Sequence, residues 1–328
     1  MAMRTVLLVA AMSSNSTASA KDVQHGLLLM ALAMLILPGI DGITKYLSDS
    51  ISPGEIAWSR FFFQTLFLLP VVLRGGSLRV GPRLWVHGAR GVLIALGTLM
   101  FFTSLGSLPL ADAISIFFVG PFILTLLSAA FLGERVGWRR LLAVAAGFAG
   151  ALIVIRPSYE TFGLTALLPV GAATAYSCYM VLTRWLVRDD SIATMQFYTG
   201  VFGGLALSMA LWFGAATDIA ILTPSWPTAM EWIWLATLGI IAAVGHWMIV
   251  IAVRRAGASM VAPLQYLEIV GATILGLVFF GDFPDGTTWL GVAIIIGSGL
   301  YVFYRERKLS LAADARSAGV AKQHTSEV

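Results

Sequence analysis

The chain is dominated by apolar runs of about 17–25 residues, the length at which a helix crosses the hydrocarbon core of a bilayer. Hydrophobic residues make up 58% of its 328 residues and charged residues only 12%, whereas soluble domains carry roughly 25% charged residues. The sequence therefore predicts an all-α integral membrane protein with ten transmembrane helices. The predicted helices cover 26–47, 55–73, 86–106, 111–132, 139–155, 163–185, 192–214, 230–253, 259–280 and 288–304.

Arginine and lysine residues cluster in every second loop between the predicted helices, while the intervening loops hold only Arg156. By the positive-inside rule this alternation places both termini in the cytoplasm and requires an even number of helices. The net charge of +4 is then explained by orientation in the membrane, and we expect no nucleic-acid partner. The clustered cations are Arg74, Arg79, Arg83, Arg90, Arg135, Arg139, Arg140, Arg184, Arg188, Arg254, Arg255, Arg305, Arg307 and Lys308.

Ten helices divide into two groups of five, and an odd number of helices inverts a duplicated half relative to its sibling. Residues 115–134 align without gaps on 263–282 and share identical residues at four positions, including Thr125/Thr273. The sequence thus predicts two inverted five-helix repeats, 26–157 and 158–308, around a central cavity. Inverted repeats are a recurrent architecture of secondary transporters, with the substrate site near the midplane.

The first 20 residues imitate a signal peptide, because Arg4 precedes a short apolar run and the segment Ala18-Ser19-Ala20. The apolar run is at the short limit for a signal peptide, and cleavage would place the new terminus outside, against the charge pattern. We therefore expect uncleaved, disordered cytoplasmic tails at 1–25 and 309–328.

The segment 111–157 carries a proline in mid-helix at Pro121, a Gly133-Glu134 pair at a helix end, and a helix rich in small residues with Gly147 and Gly150. In these features the chain resembles the EamA family of the drug/metabolite transporter superfamily, and within it the bacterial amino-acid exporters of the YddG type. The resemblance spans residues 26–308. It implies a basket of ten helices in the bacterial cytoplasmic (inner) membrane that exports metabolites from the cytoplasm.

The second half departs from that pattern, with Glu268-Ile269 where the first half has Gly120-Pro121. Glu268 lies in the middle of the apolar run 259–280, where a carboxylate costs at least ~2.5 kcal/mol and marks a functional site by default. Gln265 shares its face at i,i+3, and Tyr266 is roughly 100° away. The alternative is an acid that is protonated or makes a buried hydrogen bond between helices.

Further candidates for the substrate site lie at comparable depth in other helices. The alternative for the tyrosines is core packing, and the alternative for the histidine is a hydrogen-bonded core position. If transport is proton-coupled, the histidine is a candidate proton carrier. The candidates are Ser115, Phe118, Gly120, Pro121, Tyr176, Tyr179 and His246.

Three further charged residues are candidates for gating or ion pairing. Asp41 and Lys45 are separated by one helical turn, so they are able to pair with each other. Arg60 follows one turn inside the outer interface and is expected to pair with Glu55 or Asp49. Pro38, with glycines nearby, predicts a kink that a gating helix would use.

An amino-acid substrate needs a cation or donor for its carboxylate, an acceptor for its ammonium and an apolar surface, and this inventory supplies all three. The sequence therefore favours an exporter of amino acids that works by alternating access, with Glu268 contacting the ammonium. The alternative is an exporter of small organic cations that uses Glu268 as an exchangeable carboxylate. An enzyme is disfavoured because a nucleophile–base set is missing from the membrane segments, and no cofactor, metal or obligate protein partner is expected.

Overall fold

A computed structural model describes residues 20–74, 84–132, 137–186, 192–256 and 258–305. The predicted tails fall largely outside the described residues, as does the Gly133-Glu134 pair. Within the described ranges every regular element is helical, which agrees with the all-α class expected from composition. The helices are α1 (Ala20–Ile36), α2 (Pro38–Leu47), α3 (Pro53–Arg74), α4 (Leu84–Leu105), α5 (Leu110–Phe117), α6 (Gly120–Leu132), α7 (Trp138–Phe162), α8 (Leu168–Leu186), α9 (Ile192–Thr217), α10 (Ala229–Ala256), α11 (Ala258–Val261), α12 (Leu267–Leu275) and α13 (Gly286–Arg305).

Nine stretches of the described residues are long and apolar enough to cross a membrane. One of them, Leu141–Thr183, has 43 residues, which would measure about 65 Å as a single straight helix. It is interrupted at Gly163, whose φ of 63° ends α7, and by the 3₁₀ turn Gly163–Leu167 before α8. A non-glycine residue rarely adopts this backbone conformation.

Contacts with α6 fix the relation of α7 and α8. The Phe122 ring lies against Gly147 of α7, and the Ser177 hydroxyl of α8 donates to the Gly120 carbonyl at 3.0 Å. Gly147 and Ser177 are about 30 residues apart, or about 45 Å along a straight helix, yet they contact residues on one turn of α6. The chain therefore turns back on itself between α7 and α8.

Two interruptions of the helices lie at or next to prolines. At the position where a kink is predicted, the regular helix is interrupted, because α1 ends at Ile36 and α2 begins at Pro38. A second interruption lies beside Pro121, where α5 ends at Phe117 and α6 begins at Gly120. Proline lacks the N–H that a continuous helix needs, so the chain restarts at these positions.

The run 259–280, predicted as one helix, is irregular. It consists of α11, the 3₁₀ turn Ala262–Tyr266, α12 and the π turn Gly276–Phe280. Pro263 lies in the 3₁₀ turn because its ring is incompatible with an α-helical hydrogen bond to the preceding turn. Gly281, at φ 69°, ends the π turn. The irregular backbone brings Gln265 and Glu268 to the interior rather than the lipid, as irregular segments in membranes require.

Small residues let helix backbones approach closely at the principal crossings. A Cβ on Gly91 of α4 would lie 2.9 Å from the backbone nitrogen of Gly203 in α9. A Cβ on Gly150 of α7 would lie 3.0 Å from the carbonyl oxygen of Gly291 in α13. Close packing of small residues is a principal means of helix association in membranes.

We expect the substitution Gly91→Leu to destabilise the protein by about 1–3 kcal/mol, because a larger side chain forces α4 away from α9. The matched control is Gly286→Leu, since a Cβ on Gly286 meets nothing within 4 Å. Thermal unfolding in detergent should show a lower Tm for Gly91→Leu alone. Equal Tm values for the two variants would contradict the close approach of α4 and α9.

Candidate functional site

A cavity of about 250 Å³ lies at the centre of the helices and is bounded by segments from both halves of the sequence. Its walls come from α1 through α6, from α8 and α10, and from the irregular segment around Gln265. Buried α5 forms one side, with Ile114 facing the cavity. The lining residues are Met34, Leu37, Ile40, Asp41, Arg60, Ile94, Gly97, Thr98, Phe101, Phe102, Ile114, Phe117, Phe118, Gly120, Pro121, Ala172, Tyr176, His246, Ile249, Gln265 and Glu268.

Three charged side chains share this cavity: Asp41 of α2, Arg60 of α3 and Glu268 of α12. The Asp41 carboxylate is close enough to be repelled by Glu268 and attracted by Arg60. Among the described side chains, none donates a hydrogen bond to Asp41 or Glu268, and neither forms an ion pair. Two carboxylates without a protein partner are therefore available to a ligand, in surroundings where an uncompensated charge is costly.

Arg60 uses only part of its hydrogen-bond donors within the described structure. Its Nη1 donates to the Thr98 hydroxyl at 2.7 Å, whereas its Nε is buried without a hydrogen-bond partner in the described structure. A guanidinium presents several N–H groups in a fixed fork that matches the geometry of a carboxylate. Arg60 is thus able to bind a ligand carboxylate while Thr98 holds its other side.

His246 and Gln265 add uncharged polar groups. The Nδ1 of His246 lies 2.7 Å from the Ala242 carbonyl of its own helix, and because a carbonyl oxygen only accepts, the proton is on Nδ1. The other ring nitrogen of His246 is then an acceptor. Gln265 has an exposed side chain and lines the same cavity.

Aromatic rings form the apolar walls. Phe117 contacts Tyr176, with ring centroids 5.7 Å apart, and Phe101, with centroids 5.3 Å apart. Phe118 stacks on Tyr266 at 5.2 Å with an interplanar angle of 30°. Rings in contact with one another present rigid flat surfaces suited to a planar ligand group.

Four predicted residues lie outside the cavity. Tyr266 supports Phe118 from behind, with its hydroxyl end against Gly299 of α13. Tyr179 is buried and its hydroxyl accepts a hydrogen bond from Arg90. Ser115 is fully buried and donates to the Ala111 carbonyl at 2.6 Å. The fourth residue, Lys45, lies at the end of α2.

The ion pairs expected from sequence are replaced by others. Lys45 pairs with Asp282 at 2.7 Å rather than with Asp41, because Asp41 is one turn deeper and faces the cavity. Glu55 accepts hydrogen bonds from the backbone and hydroxyl of Ser225. Arg60 and Glu55, five residues apart, point about 140° away from each other on one helix, so Arg60 is a cavity residue rather than part of an outer ion pair.

Sequence reasoning missed several lining residues. Thr98 is a polar residue in an apolar helix, and that signal alone would have pointed to it. The aromatic and aliphatic members carry no such signal, because in a membrane helix they do not differ from lipid-facing or core residues. They include Ile40, Ile94, Phe101 and Phe117.

Comparison with known proteins identifies a transporter family and related bacterial transporters. The EamA-like transporter family matches residues 24–156 and again residues 163–304. A riboflavin transporter of Rhizobium johnstonii is 31% identical over 86% of this chain and 92% of its own length. An S-adenosylmethionine uptake transporter of Rickettsia bellii is 30% identical over 82% of this chain and 89% of its own length. The pseudopaline exporter of Pseudomonas aeruginosa is 28% identical, covering 83% and 94%.

A crystal structure that is 20% identical to this chain superposes with a TM-score of 0.58. The match covers 87% of this chain and 98% of the other. At this level of identity the likeness concerns the fold alone.

Proposed function

Because the chain belongs to the EamA-like transporter family, we propose that it carries a sulfonium amino acid of the S-adenosylmethionine type across the membrane by alternating access. Like its named relatives, the protein is a multi-pass membrane transporter and not an enzyme. The observation that carries the choice of substrate is the charge set of the cavity, Arg60 together with Asp41 and Glu268.

The charges of this substrate class and of the cavity are complementary. S-adenosylmethionine has one carboxylate and two cationic groups, its ammonium and its sulfonium. The cavity offers one guanidinium, Arg60, and two carboxylates, Asp41 and Glu268. Each ligand charge then has an opposite partner, which offsets the cost of holding charge inside the membrane. A plain amino acid, the substrate expected from sequence, would leave one carboxylate without a cation.

The aromatic walls suit the remainder of the ligand. Phe117, Phe118 and Tyr176 line the same cavity as the three charges, and an adenine ring stacks well on such surfaces. An organic cation without a carboxylate, the alternative drawn from sequence, would leave Arg60 unpaired. The sulfonium amino acid combines the features of both classes expected from sequence.

Riboflavin is the second candidate, favoured by the aromatic lining and by the riboflavin transporter among the relatives. It is uncharged at neutral pH, so it would bind without a cation opposite Asp41 and Glu268. The charged set therefore favours the sulfonium amino acid.

We further propose ten membrane crossings arranged as two inverted five-helix repeats, 26–157 and 158–308. The reversal of the chain between α7 and α8 supports ten crossings, because it divides the stretch Leu141–Thr183 into two. The double family match, at 24–156 and 163–304, supports the two repeats. With the alternating loop charges, this arrangement would place both termini in the cytoplasm, in the inner membrane of a bacterium.

Counterflow into proteoliposomes tests the proposal. Vesicles loaded with unlabelled S-adenosylmethionine should take up the labelled compound through the purified protein. S-adenosylhomocysteine is the matched chemical control, because it lacks only the methyl group that makes the sulfur cationic, and we expect at least about 10-fold weaker exchange. Supplying the labelled compound outside or inside the vesicles measures uptake and export separately. Exchange of riboflavin without exchange of S-adenosylmethionine would replace the proposal with the second candidate.

A further inference from the structure

A second cavity, of about 550 Å³, lies on the outer surface of the helices between α7 and α13. Because both helices face the membrane, this groove opens sideways toward lipid rather than toward either aqueous phase. It is separate from the central cavity, with which it shares no lining residue. Its lining residues are Trp138, Arg139, Leu142, Ala143 and Ala146 of α7 and Ile294, Gly297, Ser298 and Tyr301 of α13.

The groove arises from the way α7 and α13 cross. The helices are in tight contact at Gly150 and Gly291, where backbone meets backbone. Toward the beginning of α7 and the end of α13 they separate, and a Cβ added to Gly297 would meet nothing within 4 Å. The small residues there therefore leave a space between the two helices instead of closing it.

One guanidinium group lines this groove, and a second lies beside the residue that precedes its lining on α7. Arg139 lines it and is exposed, with its guanidinium 5.2 Å from the centre of the Trp138 ring. The Nη2 of Arg305, at the end of α13, lies 3.4 Å from the position that a Cβ would take on Gly137, just before α7. Within the described part of the chain, neither arginine forms an ion pair with a carboxylate.

We propose that this groove binds an anionic phospholipid, such as phosphatidylglycerol. One acyl chain lies between α7 and α13 over Gly297, and the phosphate contacts Arg139 and Arg305. Trp138 and Tyr301 flank the headgroup, at the depth where aromatic residues concentrate in membrane proteins. Basic pockets between helices on the cytoplasmic side are characteristic sites for anionic lipids, and the loop charges predict that this end of α7 is cytoplasmic.

A neighbouring groove provides an internal comparison. It lies between α1, the 259–264 region and α13, measures about 730 Å³, and is also largely apolar. Its described lining contains Gln24 but no cationic side chain. We expect that groove to hold lipid without regard to headgroup charge, so selectivity belongs to the α7–α13 groove and to its two arginines.

Native mass spectrometry of the purified protein with equal phosphatidylglycerol and phosphatidylethanolamine tests this assignment. The wild type should retain phosphatidylglycerol preferentially, and the double variant Arg139→Gln/Arg305→Gln should bind it about 30-fold more weakly. The control is Arg156→Gln at the opposite end of α7, an exposed arginine whose partner is Glu160. Arg156→Gln should leave the preference for phosphatidylglycerol unchanged. Arg139→Lys/Arg305→Lys, which keeps both charges, should restore most of the preference.

A second variant tests the acyl-chain half of the site. Gly297→Leu extends into the open space, since a Cβ at Gly297 meets nothing within 4 Å, so it should lower lipid retention while leaving the Tm unchanged. Equal retention of both lipids by the wild type, or unaltered phosphatidylglycerol binding in the double glutamine variant, would overturn the assignment. Release of the lipid by inorganic phosphate alone would also overturn it, because the site would then be a free anion site.

Discussion

Replacing Glu268 with glutamine is expected to reduce counterflow of S-adenosylmethionine by about 10- to 100-fold, because a charged hydrogen-bond partner contributes about 1.5–3 kcal/mol. Among the described side chains Glu268 has no hydrogen-bond or ion-pair partner, so the substitution breaks no contact within the protein. The loss should therefore fall on substrate binding, and the Tm should not decrease.

Comparing two substrates that differ in the charge on sulfur shows which ligand group Glu268 contacts. If Glu268 faces the sulfonium, Glu268→Gln should lower exchange of S-adenosylmethionine more than exchange of S-adenosylhomocysteine, whose sulfur is neutral. A residue that pairs with the ammonium, which both compounds carry, or that only shapes the cavity would reduce both equally. Asp41→Asn should also lower exchange of S-adenosylmethionine, and the double variant should lose less than the product of the two effects, because the carboxylates interact with each other.

The matched control for Glu268 is Glu160→Gln. Glu160 is an exposed carboxylate at the end of α7 that pairs with Arg156, and its removal should leave transport unchanged. Full transport activity in Glu268→Gln would remove Glu268 from the site. An equal loss for both substrates would keep Glu268 in the cavity but remove its role as the partner of the sulfonium.

The sequence predicts the membrane class, the proline breaks and part of the site because each depends on local chemistry. An apolar run of membrane length is unfavourable elsewhere, and Pro38 has no backbone N–H to donate to the preceding helical turn. A carboxylate in mid-membrane requires an interior position, so Glu268 was predictable as a cavity residue from its cost alone. Its neighbour Gln265 followed from helical spacing.

The remaining site residues depend on how helices rotate against one another, which a single sequence does not contain. Arg60 had carboxylates near it in sequence, yet its hydrogen-bond partner is Thr98 in the next helix. Tyr176 and Tyr179 are equally aromatic and equally deep, and only the position of α4 against α8 separates the lining residue from the buried partner of Arg90.

The partner of Lys45 was also not predictable from sequence, because Asp282 lies in a distant part of the chain. Its Nζ donates to the Asp282 carboxylate at 2.7 Å and to the Leu108 carbonyl at 2.9 Å, so one ammonium joins α2, the start of α5 and the end of the π turn. Gly281 at φ 69° turns the chain so that Asp282 faces Lys45. These contacts connect the two halves at the end of the protein where the loop charges predict the outside.

We expect Lys45→Met to open this end of the protein, because alternating access requires the two halves to separate there and the ion pair opposes separation. The pair is partly buried, with side chains 17% and 31% exposed, so it is worth more than a surface ion pair of about 0.2–1 kcal/mol. The population open to the outside should increase about 5- to 10-fold.

Cysteine labelling measures that population. Cys178, the single cysteine, is first replaced by serine, and Ile40 on the cavity wall is changed to cysteine as the reporter. A membrane-impermeant maleimide added from outside should react about 5- to 10-fold faster when Lys45→Met or Asp282→Asn is present. Arg156→Gln, which breaks the exposed pair with Glu160 on α7, should leave the rate unchanged. The exchanged pair Lys45→Glu/Asp282→Lys should restore slow labelling, since it re-forms the attraction between the same two elements. Unchanged labelling in both single variants would show that Lys45 and Asp282 do not hold the halves together.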